Sequence, residues 1–174
     1  LEVFWQELNS FAASDAGRER LLEMAASKAG VAACRAAVAP QLRRHTHGAV
    51  EWDTIEPALQ HALSMAAGGD KDAAERAVVA AMVAELRARL VDDARLSLGE
   101  EQRGRMRAAL NGVGTVADAR TGLEVFWQEL SSFAASDAGR EQLVEIAQAE
   151  SDTGREQLLG PIARRQPVAP RSAS

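Results

Sequence analysis

Large apolar side chains recur along this chain at intervals of three and four, the spacing of helices that bury one stripe. Leu1, Phe4, Trp5, Leu8, Phe11 and Ala12 share the first stripe, with Glu2, Gln6, Glu7 and Ser10 largely away from it. Ser14 and Asp15 offer N-caps for a second helix through Arg18, Leu21, Leu22, Met24 and Ala25, and Gly30 supplies its expected stop. Together these two segments predict a helical hairpin. A third, alanine-rich helix through "VAACRAAVA" meets Pro40, so "RRHTHG" beyond it reads as an exposed turn or a frayed helix end.

Asp53 with Glu56 resembles a capping box and opens a helix whose apolar face is Trp52, Ile55, Leu59, Ala62 and Leu63, ending at Gly68 and Gly69. Asp72 and Glu75 are expected to cap the next, in which Val78, Val79, Met82, Leu86 and Leu90 make the most regular stripe of the chain. Ser97 and Glu100 predict a further start, with Met106, Ala109 and Leu110 inward and Asn111–Gly112 as the stop. "NGVGTVADARTG" then reads as a connector. No segment alternates as a strand would, so the expected class is all-α, a bundle of six to eight short amphipathic helices.

One pattern changes this picture. The words "LEVFWQEL" occur at residue 1 and again at residue 123, and residues 1–20 and 123–142 differ only at Asn9 against Ser131 and Arg20 against Gln142. A looser correspondence continues, with Pro40, Arg43 and Arg44 matching Pro161, Arg164 and Arg165 after one deletion. The repeat unit is therefore 122 residues long. Three divisions follow: a complete unit over 1–122, a partial second unit that repeats the N-terminal hairpin over 123–165, and a flexible tail over 166–174. A shorter echo recurs as "SDAGRERLLEMA" at 14, "SDAGREQLVEIA" at 136 and "SDTGREQLLGPIA" at 151, a favourable helix start used three times.

A partial unit lacks the helices that carry Trp52, Val78, Met82 and Leu86, so Phe126, Trp127, Leu130 and Phe133 need cover from elsewhere. The candidates are the outside of the first unit, the groove of a second molecule in a domain swap, or a different partner. Phe4, Trp5, Leu8 and Phe11, with Phe126, Trp127, Leu130 and Phe133, are accordingly the expected partner-binding anchors, since aromatic side chains dominate interface energetics.

Composition narrows the function classes. With 20 basic against 25 acidic residues the chain carries a formal charge of −5, which gives nucleic acid or an anionic membrane no electrostatic hold. No apolar run has the length of a membrane span. Cys34 is the single cysteine, set among small apolar residues, and reads as a buried thiol without a disulfide or thiolate-metal role. The chain opens with Leu1 already inside an amphipathic pattern, as a processed product or a fragment would.

Catalytic signals are weak. His45 and His47 flank Thr46, but an H-x-H in a turn, even with Glu51 near, lacks the second ligand pair of a metal site, and no metal or other cofactor is expected. Asp92–Asp93 and Glu100–Glu101 are neighbours that point apart on a helix. "GVGTVADARTG" has neither phosphate-loop spacing nor a strand before it, and no serine-nucleophile elbow occurs. The expected function is a non-enzymatic structural or protein-interaction module of a tandem-repeat protein, docking or self-assembling through the aromatic hairpin. Two alternatives stand: a helical carrier for a lipid or pigment, with its cavity beside Trp52 and Met82, and an acidic inhibitor or immunity-type protein.

Overall fold

A computed structural model describes residues 2–149, and these form eight helices with no strand among them. They are α1 (Glu2–Phe11), α2 (Asp15–Ala26), α3 (Lys28–Thr46), α4 (Trp52–Ala67), α5 (Lys71–Leu90), α6 (Glu100–Asn111), α7 (Val116–Ala134) and α8 (Asp137–Ala149). The third "SDTGREQLLGPIA" echo, the match at Pro161, Arg164 and Arg165, and the 166–174 tail lie outside the described residues, as does Leu1. The all-α class is as the periodicity predicts. Among the described residues no helix is long and apolar enough to cross a membrane.

Several helix ends depart from expectation, and each departure has a local cause. Gly30 does not stop α2. Ser27 both ends α2, donating its N–H to the Glu23 carbonyl at 3.0 Å, and caps α3, its Oγ accepting from Gly30 N at 3.0 Å. Gly30 is needed for closeness instead: a Cβ there would lie 2.4 Å from the Met24 carbonyl oxygen.

Pro40 does not stop α3 either. Its ring deprives the Ala36 carbonyl of a donor, at a cost of up to about 3 kcal/mol in a helix interior. The helix continues because Cys34, Val38, Leu42 and Thr46, four apart, are all buried on one side. "RRHTHG" is thus the end of α3 rather than a loose turn, closed by His47 in the left-handed conformation with its N–H on the Arg43 carbonyl.

The remaining corrections concern caps. α4 begins at Trp52, and Glu56 accepts from the Trp52 ring N–H at 2.5 Å instead of capping. Asp70, not Asp72, caps α5 by accepting from Ala73 N at 3.0 Å. α6 starts after Gly99 without a side-chain cap, while Ser97 is held by Gln142 of α8. The supposed connector is largely helix: Thr115 and Asp118 form a reciprocal capping box, and α7 runs from there straight through the second "LEVFWQEL". No break falls at the 122/123 repeat boundary.

One hydrophobic cluster joins the elements, from Trp5 and Leu8 of α1 to Leu143 and Ile146 of α8. α4 packs along α5, α2 lies on α4, α3 bridges α2, α4 and α7, and α6 lies on α7. The stripes read from α4 and α5 are buried throughout: Trp52, Ile55, Leu59 and Leu63, and Val78, Val79, Met82, Leu86 and Leu90. Polar ties fix the joints. Arg89 donates to the Ala49 carbonyl at 2.6 Å, and Glu75 accepts from Val116 N at 2.7 Å, pinning the start of α7 to α5.

Candidate protein-docking site

The two aromatic helices turn the same corner. Ser14 Oγ accepts from Gly17 N at 3.1 Å between α1 and α2, and Ser136 Oγ accepts from Gly139 N at 3.0 Å between α7 and α8. A Cβ on Gly17 would lie 1.8 Å from the Phe11 carbonyl oxygen, and one on Gly139 would lie 2.2 Å from that of Phe133. Only glycine lets the second helix begin so close to the end of the first.

Beyond that corner the surroundings differ. Phe126, Trp127, Leu130 and Phe133 are all buried within the chain's own core, as are Trp5 and Leu8. The second copy therefore finds its cover in cis, as in the first of the three expected arrangements, but within one shared core cluster rather than on the outside of a finished unit. Phe4 is half-buried, and Phe11 is 51% exposed where its counterpart Phe133 is 8% exposed. Of the eight expected anchors, these two phenylalanines of α1 are the ones that reach the surface.

The cause is α6. Gly122, Phe126, Glu129 and Phe133 stand at spacings of four, three and four along α7, hence on one stripe. A Cβ on Gly122 would meet Val113 Cγ2 at 2.3 Å and the Ala109 carbonyl oxygen at 3.0 Å. One turn pair further along, Gln102 Nε2 donates to the Glu129 carbonyl at 2.9 Å and Arg105 Nε to its carboxylate at 2.9 Å. α6 thus runs antiparallel along this stripe. Ser97, just before α6, donates its N–H to Gln142 Oε1 of α8 at 2.8 Å and carries the cover onto the second helix.

Nothing comparable lies on the equivalent stripe of α1 among the described residues. Phe4, Glu7 and Phe11 instead line an apolar cleft of about 140 Å³ with Leu21, Met24 and Cys34. Glu7, expected to point away, faces this cleft and has no ion-pair partner among the described residues, whereas Glu129 is paired with Arg105. Val3 at 63% and Leu22 at 52% extend the apolar surface on either side. Val3, Glu7 and Leu22 are site residues that the stripe reading missed. For Glu7 the signal was indirect: the basic partner of its counterpart Glu129 is Arg105 of α6, about a hundred residues away in the chain.

The two differences between the copies mark the same contrast. Gln142 binds Ser97, while Arg20 turns to Glu23 at 2.7 Å on an open surface. Ser131 Oγ donates to the Trp127 carbonyl at 2.7 Å, and exposed Asn9 contributes only its backbone oxygen, to Lys71 Nζ at 3.2 Å. The tryptophans differ as well. Trp127 Nε1 donates to the His45 carbonyl at 3.1 Å and its ring meets the His47 ring edge-on at 4.8 Å. Trp5 Nε1 is buried and has no acceptor among the described residues.

The other candidate groups are engaged structurally. Asp92 pairs with Arg107 and Asp93 with Arg95, both at 2.6 Å, and the latter contact holds the Asp93 carboxyl below its ordinary pKa. Glu101 pairs with Arg105 at 2.8 Å. Burial pushes the Cys34 thiol up, away from the reactive thiolate. Partial desolvation, with Arg44 and Arg120 nearby, lowers the His45 pKa. No group of three or more metal-ligating side chains occurs among the described residues. No protein-family model, curated protein or solved structure matches the chain.

Proposed function

We propose that this chain is a non-enzymatic protein-interaction module of a tandem-repeat helical protein, docking through the open face of α1–α2 while the second aromatic copy serves its own core. The observation that supports this reading is the uncovered stripe: a sequence that α6 covers on α7 stands open on α1, with Phe11 half exposed beside the apolar cleft. Val3, Phe11 and Leu22 are three of the four large apolar side chains exposed among the described residues, the fourth being Val125 of α7. Clustering of this kind on one hairpin marks a contact surface more than scattered single residues would. The 122-residue period belongs to the sequence rather than to a folding boundary, because α7 crosses it.

The cleft also bears on the carrier alternative. Its volume of about 140 Å³ is on the order of one large side chain, well below the several hundred Å³ that a lipid or pigment occupies. Trp52 and Met82, where that cavity was expected, are packed in the core. Insertion of a partner's side chain suits the dimensions better.

A photoreactive residue at position 22 of the full chain, used in the cells that make it, tests the reading. Each cross-linked protein is then purified and titrated against the wild type and against Phe11→Glu. A partner, including a second copy, whose affinity falls at least tenfold in Phe11→Glu is the expected result. Adducts that bind both forms equally, or no adduct together with a constant mass by light scattering over a hundredfold concentration range, would overturn it.

A further inference from the structure

The molecule contains its own example of what covers this aromatic stripe, and that example specifies the partner. Resting on the docking reading above, we infer that the open face of α1 receives an amphipathic helix of α6's chemistry from another protein, lying antiparallel to α1 with an arginine on Glu7.

α6 meets α7 through Gln102, Arg105 and Ala109, spaced three and four apart on one helical edge, and Val113 just beyond its end adds a contact at Gly122. Ala109 brings its backbone carbonyl up to Gly122, Arg105 neutralises Glu129, and Gln102 supplies a donor to the Glu129 carbonyl. Met106 and Leu110, fully buried, fill the space beside that edge. The group that α6 holds on residues 123–134, Glu129, has its counterpart in Glu7, and the phenylalanines of the same stripe, Phe126 and Phe133, have theirs in Phe4 and Phe11.

The α1 stripe is therefore chemically matched to a Gln-x-x-Arg-x-x-x-Ala helix. Charge complementarity is specific, because Glu7 carries a carboxylate with no ion-pair partner among the described residues at the mouth of an apolar cleft. An arginine there would be screened from water on one side by Phe11 and Phe4, the setting in which a guanidinium–carboxylate contact discriminates between partners. The cleft beside Met24 and Cys34 would take one apolar side chain of the incoming helix.

The test uses the intact chain and a fluorescent synthetic peptide of residues 98–114, LGEEQRGRMRAALNGVG, followed by polarisation. Saturable binding is expected, weakened at least tenfold by Phe11→Glu and by Glu7→Arg, each checked for unchanged helical content. A peptide carrying Arg105→Glu should regain affinity for Glu7→Arg and lose it for the wild type. That exchange is the decisive readout, since simple loss of a sticky surface would not reverse.

Three results with the peptide would overturn the proposal. One is no saturable binding to the wild type. Another is binding indifferent to both α1 substitutions, which would mean the peptide replaces α6 on α7. The last is a failure of the charge exchange to restore affinity. A mass that grows with concentration, falls back in Phe11→Glu and ignores excess peptide would assign the face to a second copy, and also overturns it. If the peptide fails while a Phe11-dependent cross-linked partner exists, only the α6-like chemistry is lost; if both fail, the docking reading falls with it.

Discussion

Phe11 and Phe133 end the same eleven-residue stretch, differing from each other's context by a single letter at Asn9 and Ser131, and yet one is half exposed and the other packed away. The helices around them explain the contrast. α7 is preceded in the chain by α6, which folds back along it, and Gly122 allows the two backbones to close. α1 rests on α2, and its outer stripe faces the cleft. Amphipathicity therefore specifies that a stripe will be covered but not by what. Identical sequence in two places yields one core element and one surface, with different energetics at each position.

The most direct way to break that comparison is truncation of the paired phenylalanines. Phe133→Ala and Phe126→Ala each empty a fully packed site and should cost about 3 to 5 kcal/mol. Phe11→Ala removes a half-exposed ring and should cost about 1 kcal/mol or less, with Phe4→Ala between. Urea midpoints at constant slope give the comparison. Equal losses at positions 11 and 133 would show that α1 is covered in solution. The same logic predicts that a chain ended at Thr121 will not fold as an independent unit, because the cut removes most of α7 and leaves the core cluster around Phe126 open.

The corner glycines sharpen the comparison from the opposite side, where the copies should agree. Gly17→Ala and Gly139→Ala each drive a methyl group into a carbonyl oxygen, at 1.8 and 2.2 Å. Both should cost about 3 kcal/mol, at the upper end of overpacking penalties, since a backbone atom cannot swing aside. Circular dichroism melts of the two variants test this. A large cost at one and none at the other would mean that the corners are not alike, and would weaken the equivalence on which the docking surface rests.

A smaller difference separates the tryptophans. Trp5→Phe and Trp127→Phe lose the same volume, but only Trp127 gives up a hydrogen bond, to the His45 carbonyl. Trp5 sheds a buried N–H that has no acceptor among the described residues. The Trp127 variant should be the less stable of the two by about 1 to 2 kcal/mol, the net value of a hydrogen bond plus the stranded carbonyl. Equal midpoints would imply that the Trp5 N–H finds a partner in water.

How much of this was legible in the letters depends on whether the cause was local. The core stripes of α4 and α5 could be read outright because Ile55, Leu59 and Leu63, or Val78, Met82 and Leu86, repeat at helical spacing and are buried as that spacing implies. Helix starts were less secure, since Asp70 and Asp72, or Ser97 and Gly99, sit two residues apart and only the fold chooses between them. Glycines were mixed signals. Gly68 and Gly112 do end α4 and α6, whereas Gly30, read as a stop, and Gly122, read as part of a connector, each lie where another segment passes within reach of an absent Cβ. The T-x-x-D capping box at Thr115 was in plain view and outweighs Gly122 once α6 is there to pack against. At the candidate site the aromatic anchors were identifiable as a set of eight. Their division into six core residues and two surface ones was not, because the deciding residues, Gln102, Arg105 and Ala109, belong to a different helix.

The weakest expected effect is one of pH, and it should touch one copy more than the other. Partial desolvation and the neighbouring Arg44 and Arg120 depress the His45 pKa in the folded chain, so the unfolded chain binds the extra proton first as pH falls through about 6.5. Protons bound in excess by the unfolded state make stability rise with pH. The contribution is therefore present above that range and is lost on acidification through it, which is the opposite sign from a histidine held in an ion pair. His45 sits at the end of α3 and its carbonyl anchors Trp127, so acid should loosen the seat of α7. Urea midpoints from pH 7.5 to 5.5 should fall modestly in the wild type and less in His45→Gln. The full wild-type slope should persist in Phe11→Ala, whose truncated side chain lies on the other aromatic copy. A His45→Gln variant with the full wild-type slope would place the titrating group elsewhere, and a slope altered by Phe11→Ala would mean that the two aromatic stripes communicate through the core they share.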